Sequence, residues 1–229
     1  MATIGEMAAG LAHEVGNPLA AISGSVQMLG TTLEGNSAQR KLLDITLKES
    51  RRLDRILKSF LRMARPRQRE IVEFDIAALL SEDVALLRNS DEVLATHRIR
   101  AEFEPPSVTI AADPDQISQL FWNLTRNALQ AMPEGGTLTV SGRLNAESYN
   151  IAFQDTGNGM TSEEKAKIFH PFKSFFDNGT GLGMAIVYRI VEEHQGEIRV
   201  ESEVGQGSVV SIDLPLRPIE AVSEAEKVS

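Results

Sequence analysis

The feature that most limits the fold is a change of hydrophobic period partway along the chain. Over residues 4–29 the apolar positions Met7, Leu11, Val15, Leu19, Ile22, Val26 and Leu29 recur at three- and four-residue steps, the spacing of one helix face. Residues 30–37 are rich in turn formers, and a second stripe then runs from Leu42 or Leu43 through Ile45, Leu47, Leu53, Ile56, Leu57, Phe60 and Leu61. Two long helices joined by a short loop make an antiparallel hairpin. Alone they cannot cover this much apolar surface, so a second copy is expected to complete a four-helix bundle, making the protein a homodimer.

The helical period stops at residues 62–69, where Pro66 disfavours helix at Arg65. The four arginines there suit either a phosphate or acidic partner or a plain solvated linker. Beyond it the patterns mix. Residues 74–88 read as a helix with Asp75 a candidate cap, 97–103 and 107–111 as strands, and 114–132 as a long helix. A turn at Gly135-Gly136 precedes an apparent hairpin over 137–144 and 149–154, then a helix over 182–194 and closing strands over 197–202 and 208–214. Helices and strands that do not alternate strictly imply an α/β sandwich, a mixed sheet with helices on one face, and an α+β chain as a whole. Residues 218–229 are acidic and poor in bulky side chains, the pattern of a frayed tail.

Composition removes several function classes. The 23 basic and 32 acidic side chains leave a formal charge of −9, which opposes general attraction to nucleic acid or an anionic membrane. Zero cysteines exclude disulfides, thiolate nucleophiles and cysteine-held metals, and suit a reducing, cytoplasmic setting. No apolar run reaches the roughly 18 residues of a membrane span. Because the first helix begins so close to Met1, an upstream sensor, which can be membrane-bound, is expected before this segment.

The chemistry concentrates in four places. His13-Glu14 sets a nucleophile beside a carboxylate, and Asn17 lies one turn on, sharing the face of His13. In the long helix, Asn123 and Asn127 are also one turn apart with Arg126 near; paired amides can finish the oxygen shell of a phosphate-bound magnesium ion, although such pairs are commonly plain surface. After a predicted strand, Asp155 with Gly157 and Gly159 offers a carboxylate to a base amino group and backbone that can approach a ring closely, or else an ordinary turn. Gly179, Thr180, Gly181, Leu182 and Gly183 lead straight into a helix whose free N–H groups suit phosphates. The three later pieces in this order make a nucleotide site. Between them, residues 168–178 carry the aromatics of a closing lid, Phe169 and Phe172 also suiting a core. Of the other histidines, His170 reads as structural, His97 sits in a strand, and His194 ends a helix, where a cation suits the dipole.

These residues resemble the cytoplasmic core of a two-component sensor histidine kinase, over nearly the whole chain. The run His13-Glu-Val-Gly-Asn-Pro18 is similar to the family's H box, residues 123–131 to its N box, 155–159 to its G1 box, 168–172 to its F box and 179–183 to its G2 box. The run Asn-Leu-Thr-Arg-Asn-Ala-Leu-Gln-Ala is most similar to the nitrogen-regulation-type branch. The resemblance implies a dimerisation and phosphotransfer domain over 1–66, a linker over 67–72, a catalytic domain of the Bergerat (GHKL) fold over 73–217, shared with gyrase, Hsp90 and MutL, and a tail over 218–229. It implies ATP and Mg2+, with Asn123 and Asn127 toward the metal, Asp155 on adenine, and Arg126, Gly157, Gly159, Phe172, Lys173 and residues 179–183 around the nucleotide. It implies phosphorylation of His13 with Glu14 polarising the imidazole, transfer to an aspartate of a response regulator, and a phosphatase role for Asn17.

Two positions depart from the family. Gly16 stands where a basic residue is common and costs the helix about 1 kcal/mol relative to Ala. The lid has Ser174-Phe175-Phe176 where Thr-Thr-Lys is common, with Lys173 earlier, so a lysine contact to phosphate does not carry over. Two rival readings are a clamp-type ATPase of the same fold and a nucleotide-sensing dimer scaffold. The clamp predicts a carboxylate beside the N box, where this chain has Trp122, and leaves His13-Glu14 without a role.

Overall fold

The computed structural model describes residues 22, 24, 26–27, 43–48, 50, 53, 70–171, 173 and 181–217. The described positions between 22 and 53 are all helical, within the two helices expected there. The rest of that hairpin, residues 67–69 of the linker, the tail, and with them His13, Glu14, Asn17, Phe172, Gly179 and Thr180, lie outside the described residues. By compactness the chain divides into Met1–Arg69 with Pro171–Leu182, and Glu70–His170 with Gly183–Ser229. The second unit is the one built up below.

It runs β1 (Val72–Asp75), α1 (Ile76–Arg88), β2 (His97–Glu104), β3 (Thr109–Ala112), α2 (Pro114–Gln130), β4 (Gly136–Leu144), β5 (Ser148–Asp155), α3 (Ser162–Lys167), α4 (Gly183–Glu193), β6 (Glu197–Glu203) and β7 (Gly207–Pro215). Five strands form one mixed sheet in the order β2-β4-β5-β7-β6, in which β2 and β4 are parallel and the other pairs antiparallel. The parallel pair needs a crossover, and β3 with α2 supplies it. One sheet face carries Leu138, Val140, Ile151, Phe153, Ile212 and Leu214, which alternate along their strands with polar or small residues. Against that face pack α1 through Ile76, Leu80 and Leu87, α2 through Ile117, Leu120 and Phe121, and α4 through Val187, Ile190 and Val191. This is the expected two-layer sandwich with helices on one face.

Four local expectations change. Phe74 and Asp75 belong to a strand, not a helix: β1 starts at Val72, read from sequence as linker, and pairs with β3 in a separate two-stranded ribbon. Asp75 is nonetheless the cap of α1, accepting from the Ala78 N–H at 3.1 Å. The helix α3 was not expected at all; it starts from a capping box in which Thr161 and Glu164 each bond the other's backbone. His194 is not a cation facing a helix end. It is 3 % exposed, its Nε2 accepts from the Asp113 N–H at 3.1 Å and its Nδ1 lies 2.8 Å from the Ile190 carbonyl, a pattern only the neutral ring can make.

Candidate functional site: a nucleotide pocket at the end of the N-box helix

The helix α2 exists because of a cap and an apolar stripe. Asp113 accepts the Gln116 N–H at 3.2 Å, Pro114 occupies the first turn, where no N–H is missed, and seven residues from Ile117 to Leu129 are buried. Asn123 and Asn127 lie beside that stripe, half-buried and one turn apart. The Asn123 Nδ2 is fully buried and has no hydrogen-bond partner among the described residues. A buried donor left unpaired costs about 1–3 kcal/mol. Across from it α4 begins: a Cβ added to Gly183 would stand 3.6 Å from the Asn123 Oδ1. The N-box amide and the first residue of α4 therefore face one space.

Asp155 closes β5 and is 7 % exposed. Burial pushes its carboxyl above the usual range, against the pull of the Gly157 and Ser208 backbone N–H groups. The Gly157 N–H donates to Asp155 Oδ1 at 2.8 Å, and the Asn158 N–H donates to the Ala131 carbonyl at 3.0 Å. The loop thus sits on the C-terminal end of α2. A Cβ on Gly157 would come to 2.5 Å from the Ala131 carbonyl oxygen, so only glycine allows this seat. The segments 123–131 and 155–159, distant in the chain, meet at Ala131, the C-terminal end of α2.

Other expected site residues are placed differently. The Arg126 guanidinium is held by Glu92 at 3.0 Å and lies 5.8 Å over the Trp122 ring, on the helix face next to that of the two asparagines. Lys173, Gly181 and Leu182 belong to the other compact unit; Lys173 is exposed, Gly181 has φ +68° and Leu182 is fully buried. Phe169 packs on the core with its ring 5.4 Å from Tyr188, the core role expected for it. His170 is exposed, and His97 bridges the Leu94 N–H (3.0 Å) and the Met132 carbonyl (2.8 Å). Sequence reasoning missed Ser208, the ladder partner of Asp155, and Ala131, whose carbonyl seats the loop. Backbone groups leave no mark in sequence, although the nearby glycines at 205 and 207 hint at tight chain passage.

A five-stranded mixed sheet with three helices on one face defines the class, a GHKL-type ATP-binding domain. Two family models agree: the phospho-acceptor model "His Kinase A (phospho-acceptor) domain" matches residues 3–69, and "Histidine kinase-, DNA gyrase B-, and HSP90-like ATPase" matches 112–218. Sporulation kinase C of Bacillus subtilis is 37% identical over 213 residues, covering 93% of this chain and 49% of its own length. The solved structure of ShkA in complex with AMPPNP matches at a TM-score of 0.75 with 25% identity, over 95% of this chain and 47% of that one. The complex of the histidine kinase ThkA with the response regulator TrrA matches at 0.67 with 27% identity, over 94% and 62%. The chain belongs to the histidine kinases, with a phospho-acceptor domain followed by an ATP-binding domain. It spans about half the length, or less, of the curated relatives it matches.

Proposed function

We propose that this chain is the kinase core of a two-component sensor, working as a homodimer. It transfers the γ-phosphoryl group of ATP to a ring nitrogen of His13, passes it to an aspartate of a response-regulator receiver domain, and removes it from that regulator with the help of Asn17. The domain division is 1–66 for dimerisation and phosphotransfer, 67–72 for the linker, 73–217 for catalysis and 218–229 for the tail. Its setting is cytoplasmic. The observation that carries the reading is the half-buried Asn123, whose Oδ1 faces Gly183 at the start of α4, on the helix whose C-terminal end seats the loop that presents buried Asp155.

Each group has a role in this reading. Asp155, as a carboxylate, accepts from the amino group of adenine, and the left-handed Gly159 (φ +64°) keeps its loop close. Asn123 and Asn127 suit a magnesium ion, which prefers to keep waters and take phosphate oxygens, and which when bound offsets phosphate charge. The N–H groups at the start of α4, with residues 179–183, receive the phosphates. Phe172 and Lys173 belong to the lid, and Arg126, now paired with Glu92, is a reserve cation for the phosphates. Glu14 takes the imidazole proton as the nitrogen attacks phosphorus and the bond to the β-phosphate oxygen breaks, releasing ADP. Positioning dominates such transfers, so the chemistry depends on bringing His13 to the nucleotide.

Incubation with γ-labelled ATP tests the whole. Acid-labile, base-stable label on the wild type, absent from His13→Gln, is the expected result. Nucleotide binding without label would mean a scaffold, and steady phosphate release without label a clamp ATPase.

A further inference from the structure

The loop that presents Asp155 is fastened on its far side by a segment that the nucleotide-site reading does not use. Strands β6 and β7 are joined by Val204, Gly205 and Gln206, a tip closed by the Gln206 N–H donating to the Glu203 carbonyl at 3.0 Å. From this tip the Gly205 N–H donates to the Asn158 carbonyl at 2.8 Å, while the Asn158 N–H donates to Ala131 at the end of α2. Asn158 is thereby clamped between the hairpin and the helix that carries Asn123 and Asn127.

Three glycines in the left-handed region make the approach possible: Gly159 at φ +64°, Gly205 at +79° and Gly207 at +87°. A Cβ on Gly159 would collide with the Glu203 carbonyl, and one on Gly207 with the Asp155 carbonyl, so backbone meets backbone on both sides of the loop. The next residue, Ser208, is the ladder partner of Asp155 in the β5–β7 pairing. The corner is braced from within, since the Ser202 hydroxyl donates to the Gly207 carbonyl at 3.0 Å and lies 2.9 Å from the Ser208 hydroxyl. By contrast, a Cβ on Gly205 would meet nothing within 4 Å. What Gly205 contributes is therefore its conformation and one N–H, not packing.

We propose that the hairpin tip, residues 203–208, is a positioning element for nucleotide binding, holding the 155–159 loop and the Asp155 carboxylate in the geometry that receives the base. This inference rests on the reading of that loop as the adenine-binding one. The strands themselves are held by the long β5–β7 and β6–β7 ladders, so loosening the tip costs the loop its seat and leaves the sheet intact.

Gly205→Val and Gly205→Asn separate backbone geometry from a generic surface change. Valine is strongly disfavoured at positive φ, whereas asparagine tolerates it and keeps the N–H in place. For the full chain titrated with AMPPNP and magnesium by calorimetry, Gly205→Val is expected to raise Kd about three- to tenfold, the worth of one hydrogen bond. The KM for ATP in autophosphorylation rises in parallel, the rate at saturating ATP holds within about twofold, and Gly205→Asn binds like the wild type. Ser202→Ala, which unbraces the corner without touching the tip's conformation, shifts Kd in the same direction and serves should the valine variant fold poorly. Wild-type affinity in both Gly205→Val and Ser202→Ala overturns the proposal. So does equal weakening by asparagine and valine, or a fall in the saturated rate with KM unchanged. A wild-type chain that gives no AMPPNP isotherm overturns the nucleotide-site reading beneath it, and is told apart because no variant comparison is needed to see it.

Discussion

Two buried aspartates in the same unit are raised by burial, and their surroundings give them opposite uses. Asp155 Oδ1 is met by the Gly157 N–H, and the group faces the proposed base site. Its protonation would remove the acceptor, so AMPPNP affinity should fall as pH drops, beginning above the pH at which an ordinary aspartate titrates. Asp155→Asn should lose about 1.5–3 kcal/mol of binding, the worth of a hydrogen bond to a charged group, seen as a rise in Kd in calorimetry at pH 7.5; an unchanged Kd would remove Asp155 from the site. Asp83 has no such use. Its Oδ1 accepts from Trp122 Nε1 at 3.3 Å, and its buried Oδ2 has no partner among the described residues. Burial is the largest influence on it, raising its pKa over the lowering effect of Ser118 and Trp122, with Glu82 adding to the rise. A folded pKa above the unfolded one means the folded state binds the proton more tightly, so the penalty is absent below the unfolded value and complete above the folded one. Asp83→Asn should therefore melt higher than the wild type near neutral pH, with the advantage shrinking as pH falls through the raised pKa and gone below the unfolded value. Thermal melts from pH 3.5 to 8 check it, and a pH-independent difference would count against the charge as the cause.

At the level of elements, two caps of similar chemistry should differ in consequence because of what their helices bury. Asp113 starts α2, accepts the Glu70 N–H at 3.1 Å as well as that of Gln116, and gives its own N–H to buried His194 at the end of α4. Asp113→Ala should cost about 1–2 kcal/mol, lowering the melting temperature by about 2–4 °C per kcal/mol in a domain of this size. Thr161 caps α3, which has no buried residue, so Thr161→Ala should expose the α3 amides to hydrogen exchange while leaving global melting in place. The same contrast explains what could be read in advance. The helices α2 and α4 each carry a stripe of buried apolar residues at helical period, and such stripes are visible without a structure. The helix α3 has none, and only the Thr161 to Glu164 spacing signalled it. The strand β1 has four residues whose identity as a strand comes from pairing with β3 far along the chain, a partner that no local window contains. At the site, Asn123, Asn127 and Asp155 were legible as side chains, whereas Ala131, Ser208 and the Gly205 N–H act through backbone and were not.

For the whole molecule, the decisive quantity is the apolar surface of the N-terminal helices. Met7, Leu11, Val15 and Leu19 share a face with one another, and the second stripe from Leu43 to Leu61 is as long. Two such stripes carry more apolar surface than a single hairpin can hide from water, which is why a second copy is proposed to complete the bundle. Autophosphorylation per chain should therefore be constant at high concentration and fall on dilution, in step with dissociation followed by analytical ultracentrifugation. This holds whether the phosphoryl group moves within a chain or between chains, because either route needs the bundle that carries His13. A rate per chain that stays level while the sedimenting species becomes a monomer would remove the dimer from the mechanism. Mixing His13→Gln chains with Asn127→Ala chains then assigns the route. Neither variant labels alone, since one lacks the acceptor and the other the proposed metal-site amide. Label on the Asn127→Ala chain of the mixed dimer means transfer across the bundle, and its absence means transfer within one chain.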